Sequence, residues 1–401
     1  MKHWLWGAAA LALATPAWAE THTVEPGEGG QERLQEALIL AEPGDEIVLG
    51  AGRFVLTDGL SLDVDGVTVR GAGMEATVLD FTGQQGSGEG LLVTSDEVTL
   101  RDFAVENPKG DGIKSKGADN IVYHKIRVTW TPGPRAENGA YGIYPVESKG
   151  ILVDGCEVSG ASDAGIYVGQ SSKITVQNSV ATDNVAGIEI ENSRDAIVDA
   201  NFVSRNTGGI LVFDLPNLPI MGGGNVIIKN NLVVANKTPN FAPAGNIVAG
   251  VRRGTGIMVM ANDKVWIEDN VVRDNPTAPF MVIAYTQPFD DDSYNPYARE
   301  VVIAENTVDE GGTDPQLEGG EMLVAAFGGA LPPILWDGIS VDPDTHALMA
   351  TPEIGAWTLG LEARGEGFAN AQPAPVQLPA YGQPWDFGDI GAPDALFARI
   401  K

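Results

Sequence analysis

Short runs in which apolar and polar residues alternate recur along most of this chain, and a glycine opens nearly every one. The segments that start at Gly90, Gly112, Gly142, Gly165, Gly187, Gly209 and Gly256 begin GLLVT, GIKSK, GIYPVES, GIYVGQS, GIEIENS, GILVFD and GIMVMAN. Their starts are separated by 22, 30, 23, 22, 22 and 47 residues. A fixed period with occasional long excursions marks a solenoid with loops inserted at its corners. Alternation within each run predicts strands buried on one face. In the turn from Gly165, strands are expected at 165–168 and 173–178, then 179–181 and a polar corner at Thr182, Asp183 and Asn184.

A coil this short cannot bury its apolar face alone, so coils must stack, about 4.8 Å apart. The pattern predicts an all-β chain, a single-stranded right-handed parallel β-helix. A leucine-rich repeat needs a dense leucine consensus and often a helix per turn, and this chain has neither. Asp102, Asn178, Asn201, Asn231, Asn270 and Asn306 recur at one corner. Stacked, their side chains are expected to form a hydrogen-bonded ladder, a structural device rather than a catalytic one.

The ends depart from the repeat. Residues 31–41 place Leu34, Ala37, Leu38 and Ala41 on one helical face, which suits a cap over the open end of a solenoid. From Gly311 the rhythm fades and Trp336, Trp357 and Trp385 appear. The expected layout is a leader at 1–19, a cap with first strands at 20–58, the β-helix at 59–310, and irregular coils with a tail at 311–401. In the leader, Lys2 precedes an apolar stretch at 5–14, and Ala17, Trp18 and Ala19 form a small-residue cleavage site. That stretch is too short to span a bilayer, and no later segment is long and apolar enough. Cleavage after Ala19 and a periplasmic or secreted location are expected.

Composition narrows the partners. The 54 acidic residues outnumber 25 basic ones, for a formal charge of −29, which argues against nucleic acid. Cys156 is the single cysteine, so there is no intrachain disulfide, and its strand-like surroundings predict a buried, inert thiol.

Alternation also locates a site. If Ile143, Ile166, Ile188, Ile210 and Ile257 point inward, one outward column contains Lys114, Tyr144, Tyr167, Glu189, Leu211 and Met258. The next contains Lys116, Val146, Gly169, Glu191, Phe213 and Met260. Long insertions at 131–140, 214–224, 237–255 and 286–299 border the same strand and are expected to wall a groove. Glu189 and Glu191 share a face, within roughly 7 Å, and such pairs can serve as acid and base on a glycosidic bond. Lys114 is a further catalytic candidate. Tyr144, Tyr167, Phe213 and Asp214 are the expected binding platform, with Lys114 and Arg135 meeting substrate carboxylates. Two plainer outcomes compete: glutamates solvated on a strand, and loops that merely bury Tyr167, Leu211, Phe213 and Met258.

Metal signals are weaker. Outside the leader the histidines are His22, His124 and His346, far apart in the chain. Asp290, Asp291 and Asp292, with Ser293 and Asn295, offer oxygens for Ca²⁺ but lack EF-hand spacing. Met258, Met260 and Met281 suit Cu(I) chemically, although core or groove packing explains them equally.

The segments NGAYGIYPVESKGILVDGCEVSGASDAGIYVGQSS, AGIEIENS, GGILVFDLPNLP, NKTPNFAP and GTGIMVMAN resemble a family of exported bacterial parallel β-helix proteins, over roughly 27–306. The resemblance implies a secreted or periplasmic protein, often encoded beside a di-haem c-type cytochrome, which makes that cytochrome a possible docking partner. A copper-binding description attaches to the family, yet this chain has few histidines and one cysteine. The wider class is similar to carbohydrate-binding β-helices, including pectate and alginate lyases, polygalacturonases and mannuronan epimerases. The Gly-His-Gly of polygalacturonases and the Asp-Pro-His of the epimerases are absent, so no catalytic residue carries over. The expected function is binding of a polysaccharide or glycan in the groove, with lyase, epimerase or hydrolase chemistry open. The alternatives are an accessory protein docking an exported partner through Leu211, Phe213, Met258 and Met260, and a copper or calcium carrier.

Overall fold

The computed structural model describes residues 19–340 and 348–401; the leader apart from Ala19, and His346, lie outside them. Among the described residues the strands form a 12-stranded and a 20-stranded sheet that wrap one solenoid. Each coil supplies a strand to the first sheet and two to the second, as in Ala164–Gly169, Ser172–Gln177 and Val180–Thr182. Neighbouring coils pair in parallel, and only the final pair, Ala356–Thr358 with Ala374–Val376, is antiparallel.

Inside the coils, Ile113, Ile143, Ile166, Ile188, Ile210, Ile257, Phe280 and Ile334 stack in register. All eight are essentially inaccessible to solvent, each contributing about 1.5–3 kcal/mol by leaving water. The recurring glycine sits where adjacent coils nearly touch. A Cβ on Gly187 would lie 2.8 Å from the Gly209 carbonyl oxygen, and one on Gly209 only 2.4 Å from that of Gly256. A larger residue would force the coils apart, so the period is a steric requirement.

The corner ladder forms, displaced by one residue at its start. Asn201, Asn231 and Asn270 each donate an amide hydrogen bond to the next asparagine, the last to Asn306, at 2.9 Å. Asn178 and Asp102 lie outside it, at the preceding position, where φ is +51° and +60°. Ser179 holds the ladder position instead, its N–H donating to Asn201 Oδ1 at 2.9 Å. Asn178 and Asp102 occupy the left-handed turn that asparagine and aspartate tolerate. A second ladder, Asn184, Asn206, Asn236 and Asn275, runs along another corner at 3.0–3.2 Å.

The helix Gly30–Leu40 caps the first coils, with Leu34 and Leu38 buried. At the other end the chain turns back along the large sheet. Tyr381, Trp385 and Phe387 pack on Trp266 and Val302, and Leu396 of the helix Asp394–Ala398 on Val122 and Leu152. The tail thus covers an outward apolar column that would otherwise face water. Among the described residues no helix is long and apolar enough to cross a membrane.

Candidate functional site

The outward face of the 12-stranded sheet carries the two expected columns. Tyr167, Glu189, Leu211, Met258, Met281, Leu335 and Trp357 are in register, as are Gly169, Glu191, Phe213, Met260 and Ile283. Lys114 pairs with Tyr144 on the preceding coils. Loop residues 245–252, 285–287 and 359–367 rise over these strands and enclose a groove of about 1100 Å³. Leu211, Phe213 and Met258 are buried beneath them rather than exposed, because Val248, Val251, Leu359 and Leu361 bring apolar surface of their own to the same cluster. These residues line the groove and also form its walls' core.

One end of the groove is polar. Glu189 and Glu191, on Ala186–Glu191, are 2% and 8% exposed and not solvated. Asp163 joins them from the start of the adjacent coil, with Tyr141 and Tyr167. Burial, reinforced by Asp163 and Glu191, holds the Glu189 carboxyl well above the usual carboxylate range. Burial likewise pushes Glu191 up to about 7, against a hydrogen bond from Tyr167 and with the added repulsion of Asp214. Asp163 also rises to about 7, through burial and the Glu191 charge, against a hydrogen bond from Tyr141. Among the described residues no ion pair reaches any of the three.

Three tyrosines adjoin the acids. The Tyr141 ring centroid lies 4.5 Å from those of Tyr144 and Tyr167, and Tyr144 meets Tyr167 edge-on at 4.9 Å. Burial raises the hydroxyl pKa of each, so all three are hydrogen-bond donors at neutral pH. Tyr141 and Asp163 were not among the expected site residues. Tyr141 opens its strand and Asp163 lies one residue ahead of the next one, beside a corner where simple alternation does not set side-chain direction; the clue was an aromatic or acidic residue within two positions ahead of Gly142 and Gly165.

The other expected residues serve different ends. Lys114 does not line the groove: its Nζ lies 3.2 Å from Glu89 and 3.8 Å from Asp111, 4.8 Å above the Tyr144 ring. Arg135 is exposed on its loop, outside the groove. Asp214 is 2% exposed and ties its loop down, its carboxylate accepting from Gly223 N–H at 2.6 Å and Asn262 Nδ2 at 2.9 Å. At the opposite end of the groove Asp337 accepts from the N–H groups of Ala284 at 2.6 Å and Ile339 at 2.9 Å.

The residues considered for metals are scattered. The Asp291 carboxylate caps Ser293 at 2.9 Å and 2.6 Å, in a loop with the exposed Asp290 and Asp292. Among the described residues no three His, Cys, Asp or Glu side chains gather as a ligand set. His22 and His124 each bond an aspartate, Asp45 and Asp154, at 2.8 Å. Cys156 is fully buried, and burial pushes its thiol up to about 12.

Comparison with known proteins places the scaffold. The chain is 23% identical over 259 residues to a pre-neck appendage protein of Bacillus phage B103, a match that takes in 55% of this chain and 30% of that one. The chain therefore spans under a third of that relative's length. Among solved structures it is similar to the A-module of a mannuronan C-5 epimerase from Azotobacter vinelandii, with a TM-score of 0.50 and 15% identity, covering 82% of this chain and 94% of the other. It is equally similar, at a TM-score of 0.50 and 15% identity, to the catalytic unit of an α-1,3-glucanase from Streptomyces thermodiastaticus, over 86% of this chain and 55% of that one. Identities this low speak for the fold alone. The family model for the right-handed β-helix region matches residues 65–217 and, overlapping, 134–287. With more than half its length matched in this way, the chain belongs to the right-handed β-helix family.

Proposed function

We propose that this protein binds a polysaccharide along the groove and that the buried carboxyls supply acid–base chemistry for acting on it. The observation that carries this reading is the joining of Asp163, Glu189 and Glu191 with Tyr141 and Tyr167 in one enclosed cleft. A carboxyl whose hold on its proton is strengthened by burial, as at Glu189, can give that proton to the oxygen of a glycosidic bond. Its partner, half-ionised near pH 7, can take one from water. In that step the Glu189 proton goes to the leaving oxygen, the sugar carbon–oxygen bond breaks, and water adds to the sugar carbon as Glu191 removes its proton. The tyrosines supply ring faces and donors suited to sugars. Two structural neighbours bear names of polysaccharide-acting enzymes, one on a mannuronan and one on an α-1,3-glucan, which agrees with a long ligand. With the leader at 1–19, the site of action is outside the cytoplasm.

The test is a panel of neutral, uronate and amino polysaccharides, scored for retention on immobilised protein and for new chain ends. Retention of one polymer with turnover by the native chain, and retention without turnover by Glu189→Gln, is the expected result. Absence of retention and cleavage across the panel overturns the reading, and full turnover by Glu189→Gln removes the proposed acid.

A further inference from the structure

The groove's polar end contains three acidic side chains and, among the described residues, no ion-paired base. Asp337, by contrast, spends its oxygens on backbone N–H groups, and Asp214 on a backbone N–H and the Asn262 amide. Glu189 does neither. Its carboxyl is 2% exposed and faces the groove, and no backbone N–H among the described residues holds it as those N–H groups hold Asp214 and Asp337. A buried carboxyl that no backbone donor holds is poorly compensated, and here the group adjoins a cleft that can admit a donor.

The same sheet shows what such surroundings hold when a base is present. Further along the same column, the Lys114 ammonium sits on the Tyr144 ring between Glu89 and Asp111. Tyr167 and Glu189 continue that column, with Asp163 and Glu191 beside them. The acid and tyrosine composition around Lys114 is thus repeated at the groove without the lysine. Arg252 also lines the groove, on the loop wall, and pairs with none of the three acids.

We propose that the polar end of the groove recognises a free amine on a sugar, so that the preferred polysaccharide carries unacetylated hexosamine. This rests on the polysaccharide reading above. An ammonium placed there gains charge-assisted hydrogen bonds and the negative faces of the tyrosine rings. A uronate would bring a further negative charge to three acids with which Arg252 does not pair, and a neutral sugar would gain no charge-assisted bond from them.

The decisive experiment is calorimetric titration of the full chain with four tetrasaccharides, of glucosamine, N-acetylglucosamine, glucose and a uronic acid, at physiological ionic strength. The glucosamine oligomer is expected to bind at least about tenfold more tightly than its acetylated form, as a hydrogen bond to a charged group predicts. Glu189→Gln and Glu191→Gln should each abolish that preference, while the exposed Glu42→Gln should keep it. Melting curves of the variants establish that they are folded. If the acetylated or glucose oligomer binds as well, the amine proposal falls and the polysaccharide reading stands. If the preference survives in both groove variants, the attraction is that of the acidic surface at large and the proposal is overturned. If no oligomer binds, both readings fall together.

Discussion

Tyr167 lies across Gly169 of its own strand: a Cβ on Gly169 would come within 2.2 Å of the Tyr167 hydroxyl oxygen. Gly169 is in register with Glu191, so the missing side chain lets Tyr167 reach over and hydrogen-bond that carboxyl. The Gly169→Ala substitution should displace the ring and break the bond. The expected cost is about 1–3 kcal/mol, the usual penalty of overpacking. Because the Tyr167 bond holds Glu191 down, its loss should move the Glu191 titration above about 7. NMR titration of labelled glutamate in the variant measures this, and an unchanged midpoint would refute the role given to Tyr167.

The acid cluster predicts how stability varies with pH. Asp163, Glu191 and Asp337 titrate at about 7 in the folded chain, against ordinary values of 3.8 or 4.5. Between those limits the folded state binds more protons than the unfolded one, so stability falls as pH rises. It is fully present below about 4 and is lost as pH passes through about 7, opposite to the trend for salt-bridged carboxylates. The melting temperature should therefore be higher at about pH 5 than at about pH 8, with a shallower slope in Glu189→Gln. A flat profile would mean that the cleft does not hold these protons.

The asparagine ladder and the turn beside it predict opposite responses. Asn231 is 1% exposed and bonds both Asn201 and Asn270. Replacing it by alanine orphans buried groups on two coils, a loss of about 1–3 kcal/mol for each. Ala200, one position before the ladder, is exposed with φ at +56°, a conformation that costs a non-glycine residue about 1–2 kcal/mol. Ala200→Gly relieves that strain at an entropic cost of about 0.4–1 kcal/mol, so it should be neutral or slightly stabilising. Urea denaturation of the two variants distinguishes these outcomes.

Leu396, 1% exposed, anchors the final helix against Val122 and Leu152. Leu396→Ala should weaken that anchor by about 2–4 kcal/mol. The coils themselves keep their own core, so limited proteolysis near residues 381–392 should accelerate while the β-helix stays intact. Uniform loss of the whole fold would show instead that the tail is part of the core.

Much of this architecture was legible in the chain. Repeated glycines mark coil contacts too tight for a Cβ, and alternation assigns inward isoleucine and outward Glu189 and Glu191, because each is a local rule repeated down the solenoid. The ladder of Asn201, Asn231, Asn270 and Asn306 was legible for the same reason, and its one-residue slip at Asn178 arose because two corner positions both favour asparagine. The second ladder, from Asn184 to Asn275, has the same spacing and was equally open to recognition.

The site needed the tertiary structure. Alternation says which way Glu189 points, but not whether a loop 50 or more residues later in the chain will cover it. Burial by such loops raises the pKa of two strand glutamates, and it turns Leu211 and Phe213 from exposed surface into groove lining. Lys114 stands in the expected column, yet its charge is consumed by Glu89 and Asp111, a pairing across coils that no single segment reveals. Asp163 and Tyr141 enter from a corner, where backbone direction is set by how the chain turns. Sequence alone determined the repeat, the faces and the coil spacing, since these follow from each residue's relation to its near neighbours. Only the folded molecule decided charge state and enclosure, because both depend on which distant groups exclude water.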